Sequence, residues 1–176
     1  MGSLNFRRDG QVDAFSSFHQ DIGDLMNIDW TTTPYFKPEE WPDGTLEHMD
    51  GKLFEELFKL RAISKRPMTP SPLYSAHVRE VGNSRHSTQN YTRLSDATDM
   101  FLYSWKDAYT VWLQAVSMDF GGIGLYVDTV LDGKPRPMIH LDMRPNRILW
   151  IRHNKNEYVY YHKDPQKFLE ILSKAG

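Results

Sequence analysis

The chain has 176 residues, 40% of them apolar and 13% aromatic, enough for one ordinary domain with a real core and too apolar for a disordered chain. Its net charge of −2 gives no global attraction to nucleic acid or an anionic membrane. With no cysteine there is no disulfide framework, thiolate nucleophile or thiolate metal site. Any metal must therefore be held by His, Asp or Glu. No apolar run approaches the roughly 20 residues needed to cross a bilayer. The first ten residues carry Arg7, Arg8 and Asp9 and lack a signal-peptide core. The expectation is a chain without a signal peptide, cytoplasmic in the producing cell or virion-associated.

In chain order, residues 1–35 read as an irregular arm with aromatic anchors at Phe15, Phe18, Trp30 and Tyr35. Residues 36–176 read as a single α+β domain. Asp50 opens the first helix, with Leu53, Phe54, Leu57, Leu60 and Ile63 at helical spacing. Pro67, Pro70 and Pro72 make Met68 to Ala76 an extended edge segment. Gly82 to Leu94 is polar and aperiodic, a loop. Ala97 to Tyr103 reads as a strand. Ser104 and Asp107 then start a second helix that buries Trp105, Ala108, Val111, Trp112 and Ala115. Strands are predicted over 123–129, 137–143, 147–152 and 157–162, the first two joined across Asp132-Gly133. Asp164-Pro165 opens a final helix running through Leu172. Helices early and strands clustered late favour a mostly antiparallel sheet with helices on one side.

Side chains alternate faces along a strand. Met138, His140 and Asp142 therefore share one face, and Ile139, Leu141 and Met143 share the core face. On the preceding strand Asp99 falls with Ala97 and Phe101. A carboxylate in so apolar a strand costs several kcal/mol if buried unpaired, so a metal or a cation would account for it. A local ion pair of His140 with Asp142 is the simpler alternative. His77 is near enough to Arg79 to reach the same cleft. His153 and His162 read as surface residues, as do His19 and His48. The tyrosines of Tyr158 to Tyr161 could form a carbohydrate or partner surface, and a half-buried sheet face is the simpler reading.

Two motif groups carry a resemblance. One is Ser84-Arg85-His86 followed by Ser95-Asp96-Ala97-Thr98-Asp99. The other is Gly121-Gly122-Ile123-Gly124-Leu125-Tyr126, then Ile139-His140-Leu141-Asp142 and Trp150. With Ser75 to Arg79 as a diverged upstream strand, the pattern over residues 35–152 resembles the zinc D-alanyl-D-alanine peptidases. That group includes VanX-like dipeptidases, murein endopeptidases and phage endolysins, and its metal site is shared by hedgehog domains. The resemblance implies His86, Asp99 and His140 as Zn2+ ligands, with Ser84, Arg79 and Tyr126 facing substrate. Arg79 would meet a carboxylate or the polarised carbonyl oxygen. Zinc would acidify its water to about pKa 7, and a carboxylate must accept the proton.

The implied function is cleavage of D-alanine-containing bonds in peptidoglycan stem or cross-link peptides, with no nucleic-acid partner. Three features depart from the family pattern. The spacer between His86 and Asp99 is longer, so Gln89, Asn90 and Tyr91 would line or block the cleft. Asp96 competes as a ligand, although it faces away from Asp99. Pro137 stands where many relatives place the acid, leaving Asp142 as the nearest catalytic carboxylate or as a partner that orients His140. The competing readings are a non-catalytic phage structural or binding protein with the same fold, and a polar-pocket binding module without metal.

Overall fold

A computed structural model describes Ile28, Trp30, Thr31, residues 34–155 and residues 157–175. The expected anchors Phe15 and Phe18, and His19, lie outside the described residues. Eight strands and three α-helices are present among those described. The helices are α1 (Gly51–Ser64), α2 (Trp105–Val116) and α3 (Pro165–Ala175). The strands are β1 (Met68–Pro70), β2 (Ala97–Leu102), β3 (Gly122–Tyr126), β4 (Val130–Leu131), β5 (Lys134–Pro135), β6 (Met138–Asp142), β7 (Ile148–His153) and β8 (Glu157–Tyr160).

Six strands form one sheet in the order β1-β2-β6-β3-β7-β8. Every neighbouring pair is antiparallel except β3 and β7, which run parallel. The fold is therefore α+β with a mostly antiparallel sheet. Local chemistry explains the helix starts. Asp50 accepts a hydrogen bond from the Lys52 backbone N–H at 2.9 Å, and Ser104 accepts one from Asp107 at 3.1 Å.

One sheet face is apolar and carries the helices. Met100, Leu102, Ile123, Leu125, Ile139, Leu141 and Ile151 join α1 residues Leu53, Phe54, Leu57 and Leu60, and Phe168 and Leu172 of α3, in one buried cluster. Trp30 packs edge-on against Phe54 and Phe58 at 5.6 and 5.7 Å. Arg61 lies over the Tyr35 ring. Both aromatic anchors that fall within the described residues thus contact α1.

Several local expectations are corrected. Ile63 is 56% exposed, because α1 turns its last apolar residue past the edge of the core. Trp105 is only half-buried, at the first turn of α2. The proline-rich stretch is extended only over β1, an edge strand as expected, and then closes a 3-10 turn at Tyr74–Ala76. β3 stops at Tyr126, short of the expected Thr129. The connection to β6 contains its own hairpin, β4–β5, turning at Asp132 and Gly133 with φ of 51° and 73°. Two successive positive φ values are what a two-residue hairpin turn requires.

His77 does not reach the cleft. It is fully buried in the core, its Nε2 2.8 Å from the Ser71 carbonyl and its Nδ1 2.9 Å from Thr98 Oγ1. Burial lowers its pKa below the ordinary imidazole value. The folded state thus holds His77 neutral, while the unfolded chain protonates it below about pH 6.5. More protons on the unfolded state means stability falls as pH drops from about 6.5. A His77→Leu variant should lose about 2–3 kcal/mol at neutral pH, from the two polar groups left unpaired. Its denaturant-derived stability should also fall less steeply with acid than that of the wild type, by up to about one proton.

Candidate metal centre

The opposite face of the sheet carries the polar groups. β2 and β6 pair so that Asp99 lies directly across from His140, and Ala97 across from Asp142. Cross-strand partners on one face bring their side chains together. The third group, His86, comes from the loop before β2. The upstream strand expected over Ser75 to Arg79 is absent among the described residues. Only an isolated bridge at Arg79 ties the loop, with Arg79 N–H donating to the His86 carbonyl at 2.8 Å and Thr88 N–H to that of Arg79 at 2.7 Å.

The three side chains converge. His86 Nε2 lies 3.2 Å from His140 Nδ1, His140 Nδ1 lies 2.9 Å from Asp99 Oδ1, and His86 Nε2 lies 3.7 Å from Asp99 Oδ1. Tetrahedral zinc with bonds of about 2.0–2.1 Å holds its donors about 3.3 Å apart. The triangle fits that spacing. All three residues are buried, with at most 7% exposure. Among the described residues this is the group of three or more His, Cys, Asp and Glu side chains able to share an ion. Asp96, the competing acid, pairs with Arg85 instead.

His140 has a partner on its other nitrogen. Nε2 meets Asp142 Oδ2 at 2.9 Å, so the ring presents Nδ1 to the centre. Asp142 is fully buried, and Arg144 grips it through Nε and Nη2 and through its backbone N–H. This carboxylate lies behind His140, away from the donor triangle. Of the two roles the sequence left for it, the geometry matches the orienting one. Burial works against ionising Asp142, but His140 and Arg144 outweigh it and hold its pKa well below the usual carboxylate range. Burial likewise opposes charge on His140. The carboxylates of Asp142 and Asp99 overcome it and raise the pKa to about 9. For His86 burial outweighs the nearby Asp99 carboxylate and lowers the pKa to about 3.

The Gly-Gly-x-Gly segment acquires a physical meaning here. A Cβ on Gly121 would overlap the Arg144 backbone carbonyl. On Gly122 it would overlap the Asp142 carboxylate, and on Gly124 the Trp150 indole. Register puts Gly122 beside Asp142, and Gly124 beside both His140 and Trp150. The glycines therefore leave room for the carboxylate that orients His140 and for the indole 5.0 Å from its ring.

A cleft of about 360 Å³ opens over the donors. Arg79, Ser84 and Arg85 line it along with Tyr126, as do Trp150, Tyr158 and Tyr160. Arg79 is exposed and commits its Nε to the Ser75 carbonyl at 2.8 Å. Ser84 turns its Oγ back to accept the His86 N–H at 3.3 Å. Tyr126 is buried, with Arg152 over its ring at 4.3 Å. Gln89, Asn90 and Tyr91 do not line the cleft. Tyr91 packs against His48 instead, with ring centroids 4.5 Å apart. His153 sits near Glu157 and His162 near Tyr160, and neither lines the cleft.

Sequence reasoning missed Arg85 and Arg144 as cleft residues. It offered the Tyr158–Tyr161 strand as a candidate carbohydrate or partner surface but did not place Tyr158 and Tyr160 at this cleft, although two-residue spacing put them on a common face. Compared with known proteins, the chain matches no family model, no curated protein and no solved structure. No helix among the described residues is long and apolar enough to cross a membrane.

Gly122→Ala should weaken zinc affinity about 10–100-fold by displacing Asp142 from His140. Competition with a chelating dye measures this. Circular dichroism should show the secondary structure retained.

Proposed function

We propose that this chain is a zinc peptidase acting on D-alanine-containing peptides of peptidoglycan. The supporting observation is the convergence of His86, Asp99 and His140 at zinc-like spacing on the floor of an open cleft. Those three residues would hold the ion, which when bound supplies Lewis acidity toward a carbonyl and an acidified water. The chain's own groups do the rest. Arg79, which lines the cleft, takes a substrate carboxylate through paired donors. Tyr126 and Trp150 form a wall that fixes the peptide beside the donors. Asp142 keeps His140 in the orientation that presents Nδ1.

A second reading follows from one specific observation. Among the described residues that line the cleft, Asp99 is the sole carboxylate, and it belongs to the donor set. Among the described residues no separate acid lines the cleft to accept a proton. This favours a relative that holds metal and binds wall peptides without cutting them.

Zinc-loaded protein incubated with sacculi or synthetic D-alanyl peptides distinguishes the two. The peptidase reading expects new peptide termini by mass spectrometry, abolished by His140→Ala. Intact substrates with loaded wild-type protein would contradict it. Arg79→Ala should lower kcat/KM about 10–100-fold on substrates that end in a free carboxylate.

A further inference from the structure

The long loop between the first two donors has a defined path. Gln89, Asn90 and Tyr91 all have positive φ, at 50°, 59° and 62°, and none of them lines the cleft. The Tyr91 hydroxyl donates to Glu80 at 3.1 Å, and the Asn90 N–H donates to the Glu80 carbonyl at 2.6 Å. The chain then returns to the donor loop at Arg93. Its Nε donates to the Ser87 carbonyl at 2.7 Å and its Nη2 to the Ser84 carbonyl at 3.0 Å. Those two carbonyls bracket His86. A second strap runs the other way, Arg85 Nε donating to Asp96 Oδ1 at 2.8 Å. Two guanidinium groups thus tie the two ends of the loop together.

The two imidazoles of the centre are held differently. His140 is oriented through its far nitrogen by Asp142. His86 Nδ1 is buried and has no hydrogen-bond partner among the described residues. Metal-binding histidines are ordinarily aimed by a partner on that second nitrogen. Within the described residues, the contacts that aim His86 are those of its backbone turn. We infer that Arg93 is a positioning residue, whose guanidinium clasps the Ser84–Ser87 turn and so sets where His86 Nε2 meets the ion. The inference rests on reading His86, Asp99 and His140 as one ligand set. Arginine suits the task because its rigid fork spans two carbonyls, which a lysine ammonium does not reproduce.

The test measures Zn2+ affinity by chelator competition, and the visible absorption of the Co2+ form at saturation, in the full chain. Arg93→Ala should weaken zinc affinity about 10–100-fold and shift the Co2+ bands. Arg93→Lys should fall between it and the wild type. Arg136→Ala, outside the cleft, should match the wild type. In a His86→Ala background, Arg93→Ala should change residual affinity no further. If Arg93→Ala does not fold, the Lys variant carries the comparison. Wild-type protein that binds the ions alongside Arg93 variants of unchanged affinity and spectrum would overturn the clasp alone. Wild-type protein that binds neither ion would overturn the ligand set and the clasp with it.

Discussion

The antiparallel pairing of β2 with β6 is the constraint on which the site depends. It sets Asp99 opposite His140 on the face away from the helices, while Met100 and Ile139, one residue along, point into the core. The pairing is strongly specified because a one-residue slip would send the whole apolar row into the cleft and the charged row into the core. The same buried apolar face that stabilises the fold therefore locks two of the three donors in place. The third arrives on a loop, and its geometry is set by hydrogen bonds rather than by a ladder.

The next strands continue this logic. β3 lies beside β6 and brings its glycines against His140 and Asp142, and β7 brings Trp150 beside Gly124. Small residues on one strand make space for large or charged ones on its neighbours. Asp142 is tolerable in a fully buried position only because His140 and Arg144 together satisfy it. A buried carboxylate this well paired serves orientation. It is poorly placed to move a proton, since its ionised form is strongly favoured.

Much of this was legible in the sequence. The 3.6-residue spacing of α1 and α2 and the alternation in β2 and β6 follow directly from side-chain geometry, and so does the shared face of His140 and Asp142. What was not legible depends on distant pairing. Nothing local says that β3 runs parallel to β7, or that His77 finds Ser71 and Thr98 in the core. The path of the long loop was hidden for a different reason. Its left-handed turn uses Gln89, Asn90 and Tyr91 where glycine would have announced it. The role of Arg93 depends on two backbone carbonyls, which carry no residue-type signal at all.

The central claim is that three side chains share one divalent ion. A crystal structure of the zinc-equilibrated protein, with diffraction recorded on both sides of the zinc absorption edge, addresses it most directly. The account predicts a single anomalous peak about 2.0–2.1 Å from His86 Nε2, His140 Nδ1 and an Asp99 oxygen. A map without that peak, or with zinc bound only elsewhere on the chain, would contradict it.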